Sequence, residues 1–339
     1  MIWCPRCGVN VRRWLHSPGH LSHAVPHPPS ESAPAVSVVI PTYNRGVLLG
    51  EAVDSVLLQS RGDFELIVVD DGSTDGTLDY LSGIEDPRLR VIRRAHTGNP
   101  AAGRNAGIAA ARAEWIAFLD SDDLWLPEKL AFQLQHLGEQ PTCGWSCTGV
   151  SFIGEDGAAI PQRSGAPYRA QSGWVLEPLL TYAMTATIST LLVRRSLLEE
   201  LGRFDETIIF REDYDLVLRL AARSELCALE ETLTLVRDHL ARSTTAQRPS
   251  ELHRHHEMAF RKAKRAATTR RIRRLCARQC AAYLVAQARA LSQEGEHRRA
   301  LAALARAARE APLSRGVWRA AVGCALHSVG SGARRSASA

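Results

Sequence analysis

Trp115-Ile116-Ala117-Phe118-Leu119-Asp120-Ser121-Asp122-Asp123 is an apolar run that stops at three carboxylates within four residues. The run predicts a buried strand. Carboxylates that close repel one another, and a bound divalent cation is the simplest compensation at a strand end. Oxygen-only ligands favour magnesium or manganese over zinc. The bland alternative is an Asp-rich turn in which Asp123 leads into a helix at Pro127.

Upstream, Val36-Ser37-Val38-Val39-Ile40-Pro41 is a β-branched run of the kind buried in a parallel sheet. It ends in the polar turn Thr42-Tyr43-Asn44-Arg45-Gly46, after which apolar residues recur at helical spacing to Leu57. A second strand, Phe64 to Val69, ends in Asp70-Asp71-Gly72-Ser73-Thr74-Asp75-Gly76, with Ser73 or Asp75 placed to cap the next helix. Leu89-Arg90-Val91-Ile92 reads as a third strand, and Asn99-Pro100 opens a small-residue helix through Gly107 to Ala111.

Alternation of this kind predicts an α/β fold with an open, mostly parallel sheet covered by helices on both faces. Ligands of such sheets lie beyond the carboxyl ends of the strands, so the three polar loops should meet at one cleft. No Gly-x-Gly-x-x-Gly and no Gly-Lys-Ser/Thr loop occurs among the glycines at 72, 76, 103 and 107, which leaves no dinucleotide or P-loop fingerprint.

Four stretches, in order and spacing, carry a family resemblance: Val38 to Arg45, Val68 to Asp75, Gly103-Arg104-Asn105-Ala106-Gly107, and Phe118 to Trp125. Together they closely resemble the inverting nucleotide-sugar glycosyltransferases of family 2, which have a GT-A fold. The resemblance covers roughly residues 35–245. It implies that Thr42, Asn44 and Arg45, with Pro41, line the nucleotide site, and that Asp71, with Asp70, accepts hydrogen bonds from the base. An imide N–H needs such an acceptor. It implies that Arg104 reaches the diphosphate or the base edge; otherwise Arg104 is a solvated or ion-paired side chain.

In the same resemblance Asp120, Ser121 and Asp122 form the Asp-x-Asp motif, Asp123 is an additional carboxylate, and the metal is Mn2+ or Mg2+. Phe210-Arg211-Glu212-Asp213-Tyr214-Asp215 resembles the family's Glu-Asp motif at a helix start, making Asp213 the general base and Asp215 its fallback. Glu212 would orient a neighbour or meet the acceptor. The bland account of these acids is that a helix N-terminus favours them. Leu235-Val236-Arg237-Asp238-His239 resembles the closing strand, whose histidine, His239 here, approaches metal or diphosphate in some members; a strand-end histidine is more often structural. A strand at Ile188 to Val193 and a helix from Ser196, stopped at Gly202, lie between.

Charge divides the chain. From residue 251 there are 19 Lys/Arg against 5 Asp/Glu, a net of +14, which leaves −8 for residues 1–250. This gives a leader at 1–34, a GT-A domain at 35–248 (35–139 nucleotide-sugar half, 140–248 acceptor half) and a basic helical extension at 249–339, broken near Thr268-Thr269, Gly295 and Pro312. The stretch from Ala281 to Leu304 reads as one helical hairpin, too little for a repeat. The basic face could rest on anionic lipid, on the acidic domain or on a partner; no nucleic-acid motif is present.

In the leader, Cys4 and Cys7 make half a zinc knuckle, but His16, His20, His23 and His27 stand at spacings that match no common finger, so an incidental extension is expected over zinc. Eight scattered cysteines read as reduced thiols, and no apolar run suits a signal or a membrane span, so a cytoplasmic location, peripheral at the inner face of the membrane, is expected. The function implied is metal-dependent inverting transfer of a sugar from a nucleotide donor, UDP-linked by preference. The acceptor would be a hydroxyl of a glycan, lipid-linked or small-molecule acceptor, in cell-surface polysaccharide or glycoconjugate synthesis. The alternatives are a nucleotidyltransferase of related fold, which would carry a Gly-rich basic loop after the first strand, and a non-catalytic nucleotide-sugar-binding or docking protein.

Overall fold

The computed structural model describes residues 33–160, 170–238 and 248–312 and residue 319. In chain order the elements are β1 (Val36–Thr42), α1 (Gly46–Leu57), β2 (Phe64–Asp70), α2 (Thr77–Ser82), β3 (Leu89–Arg93), α3 (Pro100–Ala110), β4 (Trp115–Phe118), β5 (Leu124–Trp125), α4 (Lys129–Glu139) and β6 (Cys143–Ile153). They continue with α5 (Leu176–Leu180), β7 (Leu192–Arg194), α6 (Arg195–Glu200), α7 (Glu212–Arg223), β8 (Glu225–Arg237), α8 (Pro249–Ala266), α9 (Arg270–Gln293) and α10 (His297–Glu310). Two compact units result: Met1–Val175, Met184–Glu206 and Leu220–Leu240 form one, and Leu176–Ala183, Thr207–Arg219 and Ala241–Ala339 the other. The second unit therefore takes two segments from the middle of the chain, and α7 belongs to both.

The first unit is built on an eight-stranded sheet of order β3-β2-β1-β4-β7-β6-β8-β5. The strands β3, β2, β1 and β4 run parallel; β1, β2 and β4 are buried almost throughout, as parallel strands covered on both faces are, while β3 at the sheet edge is partly exposed; β7 is antiparallel to β4 and β6, and β5 to β8. The sheet is thus mixed. Between β1 and β4 the strand order reverses, which opens a crevice at their carboxyl ends. Register pairs Thr42 with Asp70 and Val39 with Phe118, so the loops after β1, β2 and β4 start side by side.

Small residues set how closely α3 lies on this sheet. A Cβ at Gly107 would sit 2.3 Å from Val39 Cγ1, so no larger side chain fits there without a shift, and one at Gly103 would press on Pro41 Cβ at 3.2 Å. Asn99 caps α3 by accepting from Ala101 N at 3.1 Å, with Pro100 at the first helical position. The expected cap of α2 is only partly as read. Gly76 precedes the helix, and Asp75 Oδ1 accepts from Thr77 N at 3.0 Å, while Ser73 serves the neighbouring loop.

The expected strand from Ile188 to Val193 is shorter than its β-branched sequence suggests. Ile188–Thr190 is a 3-10 turn and only Leu192–Arg194 pairs in the sheet. Ser189 and Thr190 are buried and their polar groups serve tertiary partners described below, which removes them from a ladder. Gly202, at φ +79°, ends the following helix as expected, with its N–H on Glu199 O and that of Arg203 on Leu198 O.

In the second unit, α9 packs against α8 and α10. Ala281, Leu284, Ala288 and Leu291 of α9 meet Ala300, Ala303, Leu304 and Ala307 of α10, a seam of small residues and leucines. Thr269 caps α9 by accepting from Ile272 N, and Gly295, at φ +82°, allows the turn into α10. Among the described residues no helix is long and apolar enough to cross a membrane, and Cys143, Cys147, Cys227, Cys276 and Cys280 are buried free thiols.

Candidate active site

The first two loops are tied to each other. Asp71 N donates to Thr42 O at 2.9 Å; Asn44 N donates to Ser73 Oγ, and Asn44 Oδ1 accepts from Thr74 N at 2.8 Å. Asn44 adopts φ +50°, the left-handed region that Asn tolerates better than most residues. Its side chain thus holds the loops together. Thr42 is buried and its hydroxyl has no hydrogen-bond partner among the described residues, an orphaned polar atom of the kind a ligand satisfies.

Asp70 accepts from Ser73 N at 3.2 Å. Asp71 is nearly buried and anchors a third loop: Oδ2 accepts from Thr97 N and Gly98 N, and Oδ1 from Thr97 Oγ1, all within 3.0 Å. The His96 ring, also beside Asp71, stacks on Tyr43 with centroids 3.9 Å apart. A half-exposed aromatic pair next to a carboxylate is a surface suited to a planar ring, and neither aromatic stood out in the sequence.

At the end of β4, oxygens of Asp120, Asp122 and Asp123 all lie within 4.8 Å of one another. Arg104 is buried under the cluster. Its Nη2 donates to Asp120 Oδ1 at 2.7 Å, and its guanidinium lies over the Phe204 ring, 5.4 Å from the centroid. Arg45 Nη2 stands 3.9 Å from Asp122 Oδ2. The three loops therefore converge as the topology predicts. Asp123 is buried, and burial, then the charges of Asp122 and Asp120, hold its carboxyl well above the usual range, while hydrogen bonds from Ser189 and Arg237 act the other way.

Those hydrogen bonds come from residues that sequence patterning left out. Ser189 Oγ donates to Asp123 Oδ2 at 2.6 Å, and Asp120 N donates to Ser189 Oγ at 3.1 Å. The Trp125 indole donates to Ser189 O at 2.7 Å, which fixes the 3-10 turn against β5. Arg237 is buried: its N–H donates to Asp123 Oδ1 at 3.0 Å, Nε to Asp122 O at 3.1 Å, and Nη1 to Gly154 O and Glu155 O, while Nη2 pairs with Glu51. One arginine thus pins the backbone of the acid cluster and of the loop after β6.

Beneath the cluster, Lys129 is wholly buried against the Trp125 ring at 4.0 Å and donates to Gln133 Oε1 at 2.6 Å; burial drives its amine well below the usual lysine range. Gln133 continues to Ser146 Oγ and Thr190 O. Asn105, from the small-residue motif, grips the turn before α7: Oδ1 accepts from Phe204 N and Nδ2 donates to Phe204 O, both at 3.0 Å.

The donor set fits a hard divalent cation. Asp120 and Asp122 are partly exposed, all ligand atoms are oxygens, and Arg45 and Arg104 stand against the cluster. Asp123 has a protein hydrogen bond on each oxygen, which makes it the anchor of the group. His239 lies outside the described residues, as do Cys4 and Cys7.

In the second unit, Glu212, Asp213 and Asp215 occupy the first turn of α7, favoured there by the helix dipole. They differ in environment. Asp215 is 1% exposed and paired with Arg219 at 2.7 Å and Lys262 at 3.1 Å. Glu212 is buried as well. Asp213 is half-buried, and Oδ1 accepts from Tyr214 N at 2.7 Å.

Residues 37–202 match the family described as Glycosyl transferase family 2. TuaG of Bacillus subtilis (strain 168), a glycosyltransferase named for teichuronic acid biosynthesis, is 40% identical over 136 residues, 40% of this chain and 54% of that protein. The succinoglycan biosynthesis protein ExoO of Rhizobium meliloti (strain 1021) is 30% identical over 212 residues, 60% of this chain and 61% of that protein. The chain thus spans a little over half the length of these relatives. Among solved structures, S. aureus TarS 1-349 in complex with UDP-GlcNAc superposes with a TM-score of 0.65 at 20% identity, over 81% of each chain. The mannosyltransferase PcManGT from Pyrobaculum calidifontis, in complex with GDP-Man and Mn2+, gives 0.56 at 24% identity, over 93% of this chain and 85% of that one. The two structural likenesses establish the GT-A fold. The matched profile and the four ordered motifs show that residues 37–202 carry a glycosyltransferase family 2 domain.

Proposed function

We propose that the protein is a metal-dependent inverting glycosyltransferase that moves a sugar from a UDP-linked donor to a hydroxyl of a glycan, lipid-linked or small-molecule acceptor. The observation that carries this reading is the convergence of three strand-end loops on Asp120, Asp122 and Asp123, with an orphaned Thr42 hydroxyl and two arginines around them. UDP is favoured because TarS holds UDP-GlcNAc and UDP, although PcManGT holds GDP-Man. Relatives named for teichuronic acid and succinoglycan biosynthesis support a place in cell-surface polysaccharide synthesis.

Roles follow from chemistry. Thr42, Asn44 and Arg45, with Pro41 at the strand end, would frame the nucleotide, and Asp70 and Asp71 would present acceptors to the base. Asp71 can do so only with lone pairs that the Thr97-Gly98 loop leaves over. Asp120 and Asp122, anchored by Asp123, would hold Mn2+ or Mg2+, which neutralises charge on the leaving diphosphate. Arg104 would add positive charge on the same side, and Glu212 would orient its neighbour.

Asp213 is the proposed base. An inverting displacement requires the acceptor hydroxyl to lose its proton as it attacks, and a carboxylate within hydrogen-bond reach accepts it. Asp215, buried in two ion pairs, is poorly suited to that task. The test is UDP release from a panel of UDP-sugars with Mn2+. Asp213→Asn should lower turnover by about a hundredfold to ten-thousandfold with donor affinity nearly unchanged, and near-normal turnover removes the assignment.

The basic helices would contact an anionic membrane surface, peripherally and from the cytoplasmic side. Residues 258–293 contain ten Lys/Arg and no Asp/Glu, and Arg270, Arg274 and Arg278 are exposed at successive four-residue steps from the start of α9. Like charges at that spacing, at the end of the helix where the dipole disfavours cations, are relieved by an external polyanion.

A further inference from the structure

The helix α8 grips the segment around Asp213 at three points. Lys262 Nζ donates to Asp215 Oδ2 at 3.1 Å, the Phe260 ring meets Tyr214 with centroids 5.6 Å apart, and His255 meets Phe210 edge-on at 5.4 Å. These contacts fall three residues before Asp213 and one and two residues after it. Tyr214 is also stacked on Tyr182 at 5.8 Å, and its hydroxyl donates to Leu179 O at 2.7 Å.

The two ion pairs of Asp215 do different work. Arg219 stands on the same helix, four residues on, so its pair stiffens α7 without fixing where α7 lies. Lys262 crosses from α8, so its pair fixes position. The backbone supports the same account. Arg211, immediately before the helix, adopts φ +68°, a conformation that persists in a non-glycine residue only where its surroundings over-determine it. Within this frame Asp213 is half-buried, and its hydrogen bond from Tyr214 N engages one oxygen, Oδ1.

We infer that Lys262 is a positioning residue for the transfer reaction: by anchoring Asp215 to α8 it sets the direction of the Asp213 carboxylate one turn-edge away. The inference rests on the reading of Asp213 as the base. It makes the first helix of the basic extension part of the acceptor-side machinery, whatever surface the arginines of α9 meet. A salt link that holds a reacting group to within an ångström matters to kcat, since a displacement of that size can cost about a hundredfold.

The test uses the full chain with Lys262→Met, Lys262→Arg and Asp213→Asn, read by UDP release from UDP-GlcNAc with Mn2+ and by amide hydrogen exchange over residues 211–216. Lys262→Met should lower kcat by about tenfold to a hundredfold with donor KM within about twofold. It should also speed exchange at 212–216, and Lys262→Arg should restore both. If Lys262→Met fails to fold, Lys262→Gln, which keeps a polar stem but removes the ion pair to Asp215, is read in the same way. Wild-type protection of 212–216 in Lys262→Met overturns the inference whether or not UDP-GlcNAc is turned over, and so does wild-type kcat. Wild-type kcat in Asp213→Asn, with Lys262→Met impaired in both readouts, instead refutes the base assignment and leaves Lys262 positioning another group of the turn.

Discussion

Arg237→Met removes the guanidinium that ties the acid cluster to the rest of the first unit while keeping a long apolar stem. Arg237 is 1% exposed and donates to the carbonyls of Asp122, Glu155 and Gly154 besides pairing with Glu51. Breaking a buried ion pair by removing one partner costs about 3–5 kcal/mol. Glu51 is 35% exposed and can be rehydrated, which moves the estimate to the lower end; the orphaned carbonyls, at about 1–3 kcal/mol each where water cannot reach, move it back. A net loss of about 3–4 kcal/mol is expected. For units of about 150–250 residues each kcal/mol shifts Tm by about 2–4 °C, so the melting point of the first unit should fall by roughly 10 °C. Thermal melting of wild type and variant measures this directly, and calorimetric titration with UDP and Mn2+ should show weaker binding at a temperature where both are folded. A melting point within about 2 °C of wild type would refute the claim that this arginine holds the site together.

Three further outcomes are expected. Asp122→Ala should sharply weaken UDP binding in the presence of Mn2+, and calorimetry giving the same affinity in wild type with chelator as with Mn2+ would remove the metal from the reading. Burial pushes the His256 imidazole down to about 4 from an ordinary 6.5, next to Arg211, His253 and Asp213, and it stacks on Tyr283. The unfolded chain therefore binds the proton first: stability is full above about pH 6.5 and declines as pH falls towards 4, by up to about 3 kcal/mol from this group. His253 and His255, also lowered by burial, act in the same sense. Urea midpoints at pH 7 and 4.5 should differ less in His256→Gln than in wild type, and an unchanged difference contradicts the assignment. Finally, the protein should bind vesicles rich in anionic lipid at low salt, with Arg270, Arg274 and Arg278 each replaced by Glu abolishing it; a wild-type chain that ignores such vesicles ends the membrane reading.

The parallel half of the sheet was legible because its signals are local. Each of β1, β2 and β4 is a short buried run that stops at polar residues, and Gly103 and Gly107 mark where α3 must lie close to Pro41 and Val39. The acid cluster was legible for the same reason: three carboxylates in four residues can be seen without knowing the fold. What supports them was not. Ser189 and Arg237 reach Asp123 across 66 and 114 residues of sequence, and neither sits in a pattern that distinguishes it from an ordinary strand residue. Ile188 to Val193 shows the limit clearly, since β-branched composition predicts a strand wherever it occurs, and only the polar duties of Ser189 and Thr190 turn the first half into a 3-10 helix.

The basic extension exposes a different limit, one of scale. Net charge is a property of a whole segment, and on that scale residues after 250 form a cationic object that differs from the acidic rest. Individual contacts sort the same residues differently. Lys262 turns inward to Asp215 and Lys264 pairs with Glu310, while Arg261 and Arg306 both reach Glu257, which is 2% exposed. Arg270, Arg274 and Arg278 face outward instead. Helical spacing decides which cation does which, because positions on the face toward a neighbouring helix meet the few carboxylates available, while Arg270, Arg274 and Arg278 stand one above the other on an exposed stripe. A charge count therefore overstates the surface available for docking and hides the lysine that ties α8 to the start of α7. Truncating before α8 would remove both proposed roles at once, so a loss of transfer after truncation would say nothing about membranes. Only substitutions on one face at a time separate the cation that pairs with Asp215 from those proposed to meet an external anion.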